Sequence, residues 1–183
     1  MVRSHRRSAP LLAVALFAAA CSGGADGAPP AAAGAPSSPR ATAEGSVGTA
    51  TISVDYGRPS RRGRQIFGGL VPFDAVWRTG ANAATTLVLG GTVELGGRPL
   101  DAGTYTLYSV PARDGWTLVV NGQTGQWGTE YDAGRDVARI PMEVSRPTAP
   151  VDTFTISVEG GATEGRLMFA WDTLQGALRI RAR

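Results

Sequence analysis

Residues 50–56, ATISVDY, set Ala50, Ile52, Val54 and Tyr56 on one side of an extended chain and Thr51, Ser53 and Asp55 on the other. A period of two marks a strand with one face in a core and the other in water. The alternation returns at Phe154, Ile156 and Val158, at Leu167, Phe169 and Trp171, and at Leu178 and Ile180 around Arg179. Runs at 85–89, 92–95, 104–110, 116–120 and 137–144 read as further strands. Turn pairs separate them: Gly90-Gly91, Gly96-Gly97, Asp114-Gly115, Asn121-Gly122 and Gly160-Gly161. Asp114-Gly115 and Asn121-Gly122 suit the positive φ of tight hairpins. Pro141, inside a run, predicts an edge strand or a bulge. No window carries the period of a long helix, and at most a short helix is expected within 66–75. The expectation is an all-β fold, an antiparallel β-sandwich that admits a jelly-roll-like arrangement, with a closed barrel as the alternative.

The first 45 residues differ from the rest. Arg3, His5, Arg6 and Arg7 precede an apolar run at 11–20 that is too short to span a bilayer, so residues 1–20 have the form of a signal peptide. Ala18-Ala19-Ala20 then precede Cys21, the only cysteine. A cysteine directly after small residues is the pattern of a bacterial lipoprotein, with Cys21 as the lipidated first residue. Ala18 stands where such signals usually carry Leu, and ordinary signal-peptidase cleavage is the alternative. The expected location is the cell envelope, lipid-anchored through Cys21. Ser22 in place of Asp favours the outer membrane, and a soluble periplasmic or secreted form is the alternative. Residues 22–45 contain no Val, Ile, Leu, Met or aromatic residue and read, with Cys21, as a flexible tether spanning 21–45. The globular domain is then expected over 46–183.

Charge and composition exclude several functions. All 18 basic residues are arginine, and Arg3, Arg6 and Arg7 fall in the signal segment, leaving 15 against 15 acidic residues in a mature chain of zero formal charge. That gives no electrostatic footprint for nucleic acid. The only histidine is His5, so a mature chain has no Ser-His-Asp or Cys-His nucleophile and no His/Cys zinc site. Hydrolysis would need a carboxylate pair or a metal, and nothing in the spacing of Asp55, Asp74, Asp101, Glu130, Asp132 and Asp136 selects two. Glu130, Asp132 and Asp136 match no calcium loop. No dinucleotide or phosphate loop is present. The reading favours a non-enzymatic protein without a cofactor.

The chemistry is concentrated in Tyr56–Asn82, YGRPSRRGRQIFGGLVPFDAVWRTGAN, which holds five arginines and five glycines. Guanidinium groups match carboxylate, phosphate or sulfate. Arg58, Arg64 and Arg78, set among glycines and aromatics, read as fixed, and Arg61-Arg62 as a solvated pair. Trp77 offers a stacking face and Asn82 a donor and an acceptor. Arg58, Arg64, Trp77, Arg78 and Asn82 are therefore the candidate ligand-binding residues, for a small anionic or sugar-like ligand or an envelope component. The competing reading has the fixed arginines pairing internally with Asp55, Asp74 or Asp101. Trp127-Gly128 with Tyr131 and Asp132 reads either as the mouth of a site or as a plug at one end of the sandwich.

These residues resemble a known family. Tyr56-Gly57-Arg58-Pro59-Ser60, Gly63-Arg64, Ile66-Phe67-Gly68, Val71-Pro72 and Val76-Trp77-Arg78-Thr79-Gly80-Ala81-Asn82 follow the order of motifs in the DUF2911 family. This is a bacterial family of unknown function, often of secreted proteins and lipoproteins. Ala102-Gly103-Thr104-Tyr105, Trp116-Thr117, Trp127-Gly128 and Leu167, Phe169 and Trp171 extend the resemblance over about 51–180. Ala83 stands where relatives commonly carry a charge. The resemblance implies that the YGRP, GR and RTGAN elements form one constellation, and it supplies no mechanism.

Overall fold

The structure is a computed structural model in which residues 38–183 are described. The signal segment, Cys21 and most of the expected tether lie outside the described residues. Twelve strands form two antiparallel sheets. The first contains β1 (Arg40–Val47), β2 (Ala50–Gly57), β3 (Thr85–Leu89), β6 (Gly103–Pro111), β7 (Trp116–Asn121) and β8 (Asp136–Pro141), in that order. The second runs β10 (Val151–Glu159), β11 (Glu164–Asp172), β12 (Leu174–Ala182), β4 (Val93–Leu95) and β5 (Arg98–Leu100). In that sheet β9 (Glu143–Ser145) lies beside β12, on residues neighbouring those that pair with β4. The all-β expectation holds. Strand neighbours are mostly consecutive in sequence, a meander with one excursion through β4 and β5, and this order is not that of a jelly roll.

The alternating residues of β2, β10 and β11 behave as their period demands: Ile52, Val54, Phe154, Ile156, Leu167 and Phe169 are all buried. They join one core with Leu87, Leu107, Leu118, Trp116 and Trp171. One side chain stitches the sheets. The Tyr56 hydroxyl accepts from Ile156 N at 2.9 Å and donates to Ile156 O at 3.2 Å. A single phenol thus satisfies both backbone groups that β10, an edge strand, would otherwise leave unpaired.

Four differences from the sequence reading have physical causes. The domain begins six residues earlier than expected, because Arg40–Val47 pairs along the whole of β2 from Arg40↔Gly57 to Val47↔Ala50. Its small residues reflect close packing: a Cβ on Gly45 would lie 2.6 Å from Val158 Cγ1 of β10. The run 137–144 divides at Pro141 between edge strand β8 and β9 of the other sheet, with Met142 N donating to Trp116 O at 2.8 Å. Of the expected turn pairs, Gly96-Gly97 (φ 54° and 82°), which turns β4 into β5, is the one with positive φ at both residues, while Asp114-Gly115 and Asn121-Gly122 are not in that region. Asn121 instead is buried and binds Asp132 O, Asp136 Oδ1 and Gln123 N, holding the loop after β7. No α-helix forms in 66–75; the one helical turn among the described residues is Ala133–Arg135.

The loop 58–84 closes one end of the core. Ile66, Phe67 and Val71 are buried beneath it. Trp77 stacks on Trp171 at 5.5 Å and meets Phe154 edge-on at 5.0 Å, while Phe67 meets Trp116 at 5.4 Å. Such pairs add about 0.5–1.5 kcal/mol each beyond the area they bury. The loop is therefore a packed element, which gives its arginines a rigid base.

Candidate functional site

The YGRP and RTGAN elements touch through their backbones. A Cβ on Gly57 would stand 2.1 Å from Ala81 O, and one on Gly80 2.9 Å from Thr85 Oγ1. No side chain fits at either point, so glycine is required by contact. Between them Thr79 is fully buried at φ 50°, a conformation that costs a β-branched residue about 1–2 kcal/mol. Its hydroxyl lies 2.9 Å from Ser109 Oγ, and its carbonyl accepts from Thr85 Oγ1 at 2.8 Å. Just before it, Trp77 N donates to Ser109 O at 2.7 Å and Ser109 N to Trp77 O at 2.9 Å. These bonds hold the strained turn between Trp77, Arg78 and Asn82.

The first half of the loop is pinned to the second sheet. Phe154 N donates to Pro59 O at 2.9 Å, and Arg61 N donates to Asp152 O at 2.7 Å. Arg58 donates to Phe154 O at 3.3 Å and Thr155 Oγ1 at 3.0 Å. Arg61 pairs with Asp172 at 2.7 Å. Arg64 donates from Nε to Arg61 O at 3.0 Å and from Nη2 to Ser60 O at 2.8 Å, so backbone carbonyls fix its guanidinium without neutralising it.

What results is a cleft of about 290 Å³. Arg62, Arg64 and Arg78 are its cations, Ser38, Ser60 and Asn82 its neutral polar residues, and Trp77 and Trp171 part of its apolar wall. Among the described residues no Asp or Glu lines it. Other arginine-bearing clefts differ: one sets Glu94 and Glu143 beside Arg179 and Arg181, another Glu159 and Glu164 beside Arg166 and Arg179. The half-buried Arg78 makes no hydrogen bond or ion pair among the described residues, and its stem rests on Gly128, where a Cβ would stand 2.9 Å from Arg78 Cδ. Asn82, at φ 65°, donates to Ser38 O at 3.3 Å, and its carbonyl accepts from Gly128 N at 3.1 Å.

The five candidate residues therefore separate. Arg64, Trp77, Arg78 and Asn82 meet at the cleft, while Arg58 is not among its lining residues and is spent on β10. The expected pairing of fixed arginines with Asp55, Asp74 or Asp101 does not occur: Asp55 pairs with Arg40, and none of Arg58, Arg64 and Arg78 enters an ion pair. The Arg61-Arg62 pair is not uniformly solvated, since Arg61 turns to Asp172 and Arg62 to the cleft. Trp171 and Ser60 were missed as cleft residues; only the folding of loop on sheet brings them there.

The second aromatic stretch sets an exposed tryptophan beside a packed tyrosine. Trp127 is half exposed and its backbone bridges to Ala83, beside the RTGAN turn. Tyr131 packs on Tyr108 at 4.8 Å, donates to Asp136 Oδ2 at 2.6 Å and accepts from Arg139 at 2.7 Å. Burial, and then the hydrogen bond to Asp136, raise the Tyr131 phenol above its ordinary value. Asp136 is thus fully engaged and Asp132 accepts from Gly134 N at 2.9 Å, an arrangement that serves the loop.

The described residues form an antiparallel β-domain with an arginine-lined cleft over an aromatic core. The chain belongs to the DUF2911 family, described as a protein of unknown function, whose family model matches residues 38–180. Comparison with curated proteins and with solved structures found no match.

Proposed function

We propose that this domain is a binding module for a small ligand carrying a carboxylate, phosphate or sulfate group, held in the cleft between Arg64 and Arg78. The observation that carries the reading is Arg78: a half-buried guanidinium with no protein partner among the described residues, on a cleft without a carboxylate. Arg64 approaches the same space with its orientation already fixed by two carbonyls. Asn82 orients the ligand's polar groups, and Trp77 and Trp171 exclude water from one side. Arg58 positions the loop. One charge-assisted hydrogen bond contributes about 1.5–3 kcal/mol, so each arginine accounts for roughly ten- to a hundredfold in affinity. Binding without turnover is the role proposed, in an envelope lipoprotein anchored through Cys21.

Thermal-shift and calorimetric titration of the protein with phosphate, sulfate and galacturonate at low ionic strength tests this. At least one anion is expected to stabilise the wild type, and Arg78→Met to remove that stabilisation while leaving the unliganded melting temperature in place. Absence of any anion effect, or its survival in Arg78→Met, refutes the site. Cys21→Ser is expected to release the protein from the membrane fraction, and retention there refutes the anchor.

A further inference from the structure

A second cleft adjoins the first across Arg78. Its volume is about 450 Å³, and Val76, Trp77, Arg78, Tyr108, Thr129 and Tyr131 are among its lining residues. Trp77 and Arg78 line both spaces. Among the described residues the second has no carboxylate and no cation besides Arg78 in its lining. Its walls are aromatic and aliphatic, with the exposed Thr129 at the margin and Val76 still 39% exposed. The Trp77 indole N–H has no hydrogen-bond partner among the described residues. Trp171 stacks on one face of that indole and Phe154 packs T-shaped against it, so what Trp77 offers a ligand is its donor and the part of the ring those neighbours leave open.

We infer that the two clefts form one extended site for an acidic oligosaccharide, a deepening that rests on the anion-binding reading of the first cleft. The first cleft alone is at the small end of ligand sites, which run roughly 300–1,000 Å³, and the pair is well within that range. Its guanidinium and amide groups suit a sugar ring that bears a carboxylate and hydroxyls. The second cleft suits the next ring. The apolar C–H face of that ring lies on Tyr131 and the open part of Trp77, its hydroxyls reach Thr129 and the indole N–H, and Arg78 sits at the junction, where either ring's acid group can reach it.

Calorimetry with galacturonic acid, trigalacturonate and neutral maltotriose distinguishes this inference from the reading beneath it. Trigalacturonate is expected to bind at least tenfold more tightly than the monomer. Thr129→Trp, which fills the second cleft from an exposed position, is expected to abolish that difference and leave the monomer's affinity unchanged. Equal affinity for monomer and trimer, or a trimer preference untouched by Thr129→Trp, overturns the extended site and leaves the anion cleft standing. Binding of phosphate but of neither acidic sugar overturns the sugar assignment alone. Maltotriose binding as tightly as trigalacturonate, with no response to Arg78→Met, overturns both.

Discussion

Arg58 and Arg78 are neighbours in one signature, yet the structure gives them opposite work, and this is measurable without any ligand. Replacing each by Met keeps most of the aliphatic stem and removes only the guanidinium donors. At Arg58 two bonds to β10 are lost, one of 3.3 Å to Phe154 O and one of 3.0 Å to Thr155 Oγ1. The first is near the outer limit of a useful hydrogen bond. Thr155 keeps its own bond to Thr153 O at 2.9 Å, so no donor is orphaned. With the first bond contributing little, the cost is that of about one charged bond, about 2 kcal/mol. For a domain of this size that is a fall of about 4–8 °C in Tm. Arg78 has no partner to lose, and Arg78→Met is expected to lie within about 0.5 kcal/mol of wild type. Thermal unfolding followed by circular dichroism, with denaturant titration as a second measure, reads both. If Arg78→Met costs as much as Arg58→Met, Arg78 is a structural pin and the cleft argument fails. If Arg58→Met costs nothing, the loop is not anchored through β10 as described.

Tyr56→Phe removes the phenol that serves both Ile156 N and Ile156 O, and a loss of about 1–3 kcal/mol is expected in chemical denaturation. Gly57→Ala would drive a methyl to 2.1 Å from Ala81 O, a clash with backbone, so a loss of roughly 2–4 kcal/mol or failure to express folded protein is expected. Asp172→Asn keeps a residue that tolerates φ 51° while removing the charge opposite Arg61, so its cost, about 1–2 kcal/mol, reports the ion pair and not the backbone. Tyr131 is held above the usual phenol value by burial and then by Asp136, so its stabilising contribution is present below pH 10 and is lost as pH rises through the folded pKa. Ultraviolet difference titration against Tyr131→Phe is expected to show one phenol ionising late, and a phenol titrating at or below 10 refutes that environment.

The sequence by itself determined the class of fold and the address of the site. Alternation at Ile52 and Val54, and at Phe154 and Ile156, is a local property of strands, and burial follows it residue by residue. The arginines and glycines of 56–82 concentrated the chemistry in one segment, within which Gly57 lies against Ala81. Strand β1 was hidden because Ala and Gly carry no hydrophobic signal; their smallness serves contact with β10, a partner more than a hundred residues away. Side-chain direction in the loop was likewise undetermined. Arg58, Arg61, Arg62, Arg64 and Arg78 are chemically alike, and what separates the inward from the outward ones is the position of Phe154 O, Thr155 and Asp172 on another sheet. Those are contacts between distant parts of the chain, and no local pattern encodes them. Tertiary structure alone decided that Arg58 and Arg61 hold the loop, while Arg62, Arg64 and Arg78 line a cleft.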